Sequence, residues 1–121
     1  RWVTPVQHFR RTATADVVIR GRHICEGEKV VMFYNSANRD EDVFEDPFKF
    51  DIGRKPNDHL AFGHGEHYCL GAHLARLELE VMFRALLSSL DDISVVGDVR
   101  RLRSNFINGT KEFRIKYRAK A

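Results

Sequence analysis

A single cysteine at the end of a glycine-rich stretch is the residue of this 121-residue chain best suited to bind a metal. The stretch covers residues 62–71, and Cys69 stands directly before a long helical pattern. The thiolate is the ligating form of cysteine, and a helix N-terminus favours it because unpaired backbone N–H groups point toward the sulfur. Glycines such as Gly63 and Gly65 allow the backbone to turn sharply and to lie close to a flat ligand. These residue types predict a thiolate that binds a metal cofactor.

Two other interpretations of the same residues are open. Zn²⁺ prefers cysteine and histidine ligands, and Cys69 lies among histidines at positions 59, 64, 67 and 73. Structural zinc sites usually take paired ligands from two separate clusters, whereas one cluster is visible here. Alternatively, Cys69 is a buried free thiol in a loop that precedes a core helix. That second alternative leaves the glycines and histidines unexplained.

The stretch resembles the cysteine-ligand loop of the cytochrome P-450 family, the haem-thiolate monooxygenases. The signature of the bacterial members is Phe-Gly-x-Gly-x-His-x-Cys-x-Gly, and the matching residues are Phe62, Gly63, Gly65, His67, Cys69 and Gly71. The resemblance implies that Cys69 is the axial ligand of haem b (iron protoporphyrin IX) and that the other five residues contact this cofactor. It also implies that Ala75, in the helix that follows, lies near the haem face.

The elements that must position this loop can be predicted from hydrophobic periodicity. Residues 72–90 have the pattern of a helix with a broad apolar arc, which is typical of a helix packed inside a larger protein. Short apolar runs predict an antiparallel sheet before the loop and further strands after the helix, at residues 16–20, 22–25, 29–34, 94–96, 100–104 and 113–117. The first two runs meet at Arg20-Gly21, which predicts a hairpin turn. Within the run at 29–34, residues 30–33 are continuously apolar, which predicts burial on both faces. With the resemblance, the fold class is α+β, the C-terminal part of the mainly α cytochrome P-450 fold.

Residues 35–54 have little periodicity and predict an irregular, packed meander in which Phe44, Phe48 and Phe50 are buried. The resemblance implies that Arg54 completes an ion-pair triad with a Glu-x-x-Arg pair. Arg1 matches the arginine of that pair, and the glutamate would precede it. Because a buried charge without its partner is costly, we expect Arg1 and Arg54 to be poorly ordered or differently paired.

The resemblance also assigns roles outside the cysteine loop. Arg11 and His59 match positions that hold the haem propionates. The substrate is expected to contact two segments, represented by Val6, Gln7, Phe106 and Ile107. The first turn of the long helix is expected to face the electron donor, which makes His73 and Arg76 candidate contacts for a ferredoxin-type partner.

The implied activity is the insertion of one oxygen atom of O₂ into a C–H bond of a hydrophobic small molecule. Several segments are similar to bacterial members that hydroxylate sterol side chains or methyl-branched lipids, while terpenes and fatty acids stay open. The resemblance implies that residues 1–121 are the C-terminal haem-binding portion of a longer enzyme whose N-terminal part, with the oxygen-activating helix, is absent. The alternatives are a folded, non-catalytic fragment without haem and a small Cys/His zinc-binding module.

Composition limits the partners and cellular locations that the chain can have. The net charge of +3 is compatible with an acidic protein partner, and no nucleic-acid-reading motif accompanies it. Two cysteines without a secretory signal favour a reducing compartment and predict a cytoplasmic protein. The sequence contains no run of eighteen apolar residues, the length that would predict a membrane span. If the chain stands alone, its exposed apolar surface favours oligomerisation.

Overall fold

The computed structural model describes residues 1–120, which form two compact units. The first unit comprises residues 1–61 and 105–108, and the second comprises residues 62–104 and the chain from residue 109 onward. In chain order the elements are β1 (His8–Thr12), β2 (Val17–Ile19), β3 (Arg22–Ile24), β4 (Lys29–Phe33), α1 (Tyr34–Ala37), α2 (Ala72–Ser89), β5 (Leu90–Arg101) and β6 (Thr110–Ala119). The strands pair as three two-stranded antiparallel sheets, β1 with β4, β2 with β3 and β5 with β6. The predicted α+β class is confirmed.

The hairpin of β2 and β3 turns through Arg20 and Gly21, whose φ angles are 47° and 77°. A two-residue turn with both φ angles positive matches the right-handed twist of the strands it joins. Val17 pairs with Ile24 across this hairpin. The predicted hairpin is therefore confirmed, with its turn at the expected residues.

The burial of β4 differs from the prediction. Val30 and Met32 are half-buried, whereas Val31 and Phe33 are exposed. This alternation is that of a strand with one covered face. The prediction of burial on both faces was wrong because continuous apolar residues do not reveal whether a second layer covers the sheet.

A buried polar centre holds the first unit together. The side-chain amide of Asn38 donates to Thr4 Oγ1 at 3.0 Å, and its Oδ1 accepts a hydrogen bond from the Leu60 backbone N–H at 2.7 Å. The Thr4 hydroxyl donates to the Arg1 carbonyl at 2.7 Å. Thr4 has a φ of 46°, which is unusual for a β-branched residue and persists where the surroundings over-determine the backbone. These contacts join three distant parts of the chain.

The meander keeps its irregular form but buries less than expected. Phe44 is buried, while Phe48 and Phe50 are 67% and 65% exposed. The Phe50 ring makes an edge contact with Trp2, with centroids 5.3 Å apart. The predicted burial was therefore correct for Phe44 and wrong for the other two side chains.

Arg1 and Arg54 are paired with main-chain carbonyls. Arg1 donates to the carbonyls of Asn38 and Pro47 at 2.6 and 2.9 Å, and Arg54 donates to the Asp46 carbonyl at 3.0 Å. Burial, followed by repulsion from Arg54 and then Arg39, lowers the pKa of Arg1. Of the two outcomes expected for these arginines, the structure shows different pairing.

The second unit contains the cysteine loop, α2 and the long hairpin of β5 and β6. The helix ends at Ser89, one residue before the predicted end. The strand predicted at residues 94–96 and the first two residues of the one predicted at 100–104 belong to the single strand β5, whose register shifts where Gly97 has a φ of 72°. That irregularity explains why the sequence pattern looked like two strands. The prediction was wrong for residues 102–104, which follow the end of β5 at Arg101. The connection closes with a hydrogen bond from the Leu102 N–H to the Gly109 carbonyl at 3.0 Å.

The apolar arc of α2 is exposed over most of its length. Leu77 and Val81, which lie one turn apart on this arc, are 57% and 59% exposed, and Met82, also on the arc, is exposed as well. Ala72, in the first turn, is buried. Within residues 1–120, no helix is long and apolar enough to span a membrane.

Candidate functional site: the Cys69 loop

The loop before α2 presents Cys69 on an exposed turn. A short 3₁₀ turn covers residues 65–67, and Cys69 lies between this turn and the helix, three residues before Ala72. Gly63 and Gly65 have φ angles of 78° and 70°, which ordinary side chains rarely adopt. The Cys69 N–H donates to the Phe62 carbonyl at 2.8 Å, so the two ends of the loop are hydrogen-bonded to each other. This conformation depends on glycine at both positions.

Conformation rather than crowding explains the glycine at Gly65, because a Cβ built there has no atom within 4 Å. Gly71 differs, since its φ is −83° and a Cβ there would lie 3.9 Å from Cys69 Sγ, an ordinary contact. Neither the backbone conformation nor neighbouring protein atoms therefore require a glycine at position 71, which was predicted to lie close to a flat ligand. That close approach stays a prediction.

The surface next to Cys69 is open and apolar. Cys69 is a free, exposed cysteine, and the neighbouring Leu70 is 99% exposed. The Cys69 carbonyl accepts a hydrogen bond from the Ala72 N–H at 3.2 Å, and Ala75, one turn into the helix, is half-buried. An exposed sulfur beside an apolar surface at a helix start can ligate a flat cofactor that covers this surface.

Three side chains meet beside the loop. The Arg76 guanidinium lies 4.7 Å from the centroid of the Phe62 ring, and its Nη1 donates to Tyr68 Oη at 3.2 Å. The Phe62 and Tyr68 rings are 6.4 Å apart. We call these residues the Arg76 cluster. The sequence analysis gave Arg76 as a candidate contact for the electron donor and assigned no role to Tyr68. Tyr68 precedes the helix, so no helical periodicity in the sequence pointed to its contact with Arg76.

His67 and His73, both predicted site residues, lie in the same unit as Cys69 and are exposed. In residues 1–120, however, no group of three or more His, Cys, Asp or Glu side chains is arranged to hold a metal ion. This arrangement counts against the zinc interpretation, which needs several side chains around one ion.

The remaining predicted residues lie in the first unit. Arg11 is half-buried on β1 and donates to the Arg10 carbonyl at 3.1 Å. His59 is half-buried, and its Nδ1 accepts a hydrogen bond from the Ala61 N–H at 3.3 Å. An Nδ1 that accepts this hydrogen bond leaves Nε2 as the donor atom of the neutral imidazole toward a carboxylate.

The four predicted substrate residues are brought together. Val6 forms an antiparallel bridge with Ile107, and the Gln7 N–H donates to the Phe106 carbonyl at 2.9 Å. The Phe106 ring also contacts the Phe9 ring edge-on, with centroids 5.6 Å apart. Residues a hundred positions apart in sequence are thus paired through their backbones. Their role toward substrate stays a prediction.

The first unit also has an open groove of about 500 Å³ that the sequence did not predict. It contains none of the predicted site residues, and its lining mixes aromatic and polar side chains: Trp2, Val3, Asn35, Ser36, Arg39, Phe48 and Asn108.

Comparison with known proteins decides the family. The model of the family described as Cytochrome P450 matches residues 1–116. This chain belongs to the cytochrome P450 family. Its α+β fold is accordingly part of the P450 fold, and the family implies a haem cofactor.

Individual P450s match almost the whole chain. A steroid C26-monooxygenase of Rhodococcus jostii is 55% identical over 98% of this chain and 25% of its own length. A methyl-branched lipid omega-hydroxylase of Mycobacterium bovis is 48% identical over 92% of this chain and 26% of its own length. The crystal structure of CYP109E1 from Bacillus megaterium with testosterone superposes with a TM-score of 0.91 and 40% identity, over 95% of this chain and 32% of that one. The chain thus spans about a quarter of the length of these curated P450s.

Proposed function

We propose that this chain is the C-terminal haem-binding portion of a haem-thiolate monooxygenase and that Cys69 Sγ is the axial ligand of haem b. The observation that carries the proposal is the geometry of the loop, which presents one exposed sulfur at the start of α2. Family membership supports the same cofactor.

The donor set fits an iron porphyrin. Four of the iron ligands belong to the macrocycle, so the protein needs to supply a single strong axial donor. Cys69 is one such donor, and Leu70, Leu74 and Phe62 provide apolar surface in its neighbourhood along the chain. A zinc ion would instead require three or four convergent side chains.

When bound, a haem with an axial thiolate supplies O₂ activation, because the sulfur donates electron density that favours O–O cleavage. This chain holds and orients the cofactor. Cys69 provides the axial sulfur. The matched loop residues Phe62, Gly63, Gly65, His67 and Gly71 and the helix residue Ala75 are proposed to contact the haem, and Arg11 and His59 to bind its propionates.

A carboxylate from outside this chain is proposed to complete the arginine pair of the first unit. The Nε atom of Arg54 is buried with no hydrogen-bond partner among residues 1–120. Arg54 also repels Arg1. A glutamate from an N-terminal part of the enzyme would neutralise this charge and accept the remaining hydrogen bond.

The substrate proposed is a hydrophobic molecule, and a sterol side chain or branched lipid is favoured by the names of the matched P450s. Val6, Gln7, Phe106 and Ile107 are the proposed contacts. A ferredoxin-type protein is the proposed electron donor, with His73 and Arg76 on its docking face. A cytoplasmic location is proposed from the two free cysteines.

The direct test is the absorption spectrum of the chain after addition of haem, reduction and exposure to carbon monoxide. A strongly red-shifted Soret band in the wild type, absent in Cys69→Ser and present in Cys25→Ser, is expected. If Cys69→Ser keeps this band, the assignment of the ligand is wrong.

Each of the two alternative functions predicts a different result. A folded chain that takes up no haem would mark it as a non-catalytic fragment by itself. Stoichiometric zinc after purification, measured by elemental analysis, would instead favour a metal-binding module.

A further inference from the structure

The Arg76 cluster joins three positions that matter for the cysteine. Phe62 opens the loop, Tyr68 directly precedes Cys69, and Arg76 lies in the second turn of α2. One guanidinium therefore contacts both ends of the loop from the helix, through the ring of Phe62 and the hydroxyl of Tyr68.

The backbone reinforces this arrangement. The hydrogen bond from the Cys69 N–H to the Phe62 carbonyl joins the residue that carries the sulfur to the residue on which Arg76 stacks. The cluster is therefore connected to Cys69 at two points, the Phe62 carbonyl and the peptide bond between Tyr68 and Cys69.

We propose that Arg76 is a positioning residue, which holds the loop in the conformation that directs Cys69 Sγ out of the protein surface. The sulfur is positioned for haem, so the inference rests on the proposed function for its purpose but not for its geometry. Arg76 thereby acts within the chain, in addition to the partner contact proposed for it.

The chemistry of the side chain makes the inference specific. A guanidinium is planar and carries five N–H donors, so it stacks on an aromatic ring and donates to a hydroxyl at the same time. A lysine ammonium is a compact point charge and cannot reproduce both contacts with this geometry. Arg76→Lys keeps the positive charge for a protein partner but removes the combined contacts with Phe62 and Tyr68. This variant therefore separates the positioning role of Arg76 from its proposed contact with the electron donor.

The helix supplies a matched control. Arg84 lies two turns further along α2, and its guanidinium contacts Glu80 at 2.9 and 3.0 Å on the exposed surface. Arg84→Gln removes the same charge from the same helix without touching the loop. Tyr68→Phe removes only the hydroxyl partner and keeps the ring.

The first measurement is hydrogen exchange of the Cys69 amide in the haem-free chain, by NMR, with circular dichroism to verify the helix. Arg76→Gln and Arg76→Lys are expected to accelerate exchange about tenfold, a change of about 1.4 kcal/mol in the opening equilibrium. Tyr68→Phe is expected to accelerate it severalfold, and Arg84→Gln to leave it unchanged. Equal exchange in the Arg76 and Arg84 variants would overturn the inference.

The second measurement uses the haem-loaded chain and records how the reduced carbon monoxide complex divides between the thiolate-ligated form and the form without thiolate. A larger non-thiolate fraction in Arg76→Lys than in Arg84→Gln is expected. If the wild type shows the thiolate band and all variants share its ratio, the inference fails while the proposed function stands. If the wild type shows no thiolate band but amide exchange responds to Arg76 alone, the positioning role stands and the proposed function fails.

Discussion

The two units of the chain differ in what they bury. In the first, Tyr34 and Phe44 are buried together with the polar residues Thr4 and Asn38. Among the described residues of the second unit, Ala72 is the only buried hydrophobic one, and α2 exposes Leu74, Leu77 and Leu79. Hydrogen bonds among distant segments therefore stabilise the first unit, whereas the second is held by local helix and hairpin contacts. The unit with the cysteine is also the one with the long helix, whose leucines are exposed.

This contrast suits a site that binds a large flat cofactor. A surface that receives a ligand must stay apolar and accessible until the ligand arrives. A scaffold must instead satisfy its polar groups internally, as Asn38 does for Thr4 and Leu60.

The largest expected effect concerns the second unit. Cys69→Ser should abolish the thiolate-type carbon monoxide spectrum completely, because a hydroxyl does not replace a thiolate as a soft donor. Far-ultraviolet circular dichroism should be unchanged, since the Cys69 side chain is exposed. A collapse of the helix signal in this variant would mean that Cys69 has a structural role as well.

The next largest effect concerns the stability of the first unit. Asn38→Ala should lower the free energy of unfolding by about 2–3 kcal/mol, because it leaves the half-buried Leu60 N–H without its acceptor and removes the donor to the buried Thr4 hydroxyl. Urea denaturation followed by Trp2 fluorescence measures it.

Asn57→Ala is the matched control, since Asn57 is exposed, and a change within about 0.5 kcal/mol is expected there. If both variants lose the same free energy of unfolding, the hydrogen bonds of Asn38 stabilise the unit no more than an exposed loop residue does.

A smaller effect concerns the exposed face of α2. Without haem the chain should self-associate through this face, and Leu77→Gln with Val81→Gln should weaken association about tenfold by removing apolar contact area. Sedimentation velocity over a concentration series provides the measurement, with Arg84→Gln as a control on the same helix. A wild-type chain that is monomeric at every concentration would contradict this expectation.

The smallest effect separates two glycines of the loop. Gly65→Ala should cost about 1 kcal/mol because its φ of 70° is unfavourable for any residue with a Cβ. Gly71→Ala, at a φ of −83°, should cost less in the haem-free chain. Thermal unfolding of both variants tests the order, and a reversed order would show that space beside Cys69 matters more than backbone conformation.

The sequence predicted best where residue identity alone dictates structure. The glycines and Cys69 located the loop, periodicity located α2 to within one residue, and Arg20-Gly21 located the hairpin turn. Predictions failed where tertiary packing decides, as in β4 and at Phe48. Apolar character reports what a side chain prefers but not whether another layer covers it.

The polar contacts could not be predicted for a different reason. Asn38 is an ordinary residue in a charged segment, and its burial depends on Thr4 and Leu60, which lie far from it in sequence. The Arg76 cluster likewise needs the loop conformation before its spacing has meaning. Hydrogen-bond geometry between distant residues carries no periodic signal.

The arginines that donate to carbonyls also determine how the first unit responds to its ionic surroundings. In the described part of the chain, no ion pair joins Arg1, Arg39 or Arg54 to a carboxylate, and Arg39 donates to the Trp2 carbonyl at 2.9 Å. Carbonyl oxygens satisfy the N–H groups without neutralising them, so repulsion among three cations persists. Dissolved salt screens such repulsion over about 8–10 Å at physiological ionic strength. Unlike a fold held by ion pairs, this unit should become more stable as salt is added, and most of all with anions that bind guanidinium groups.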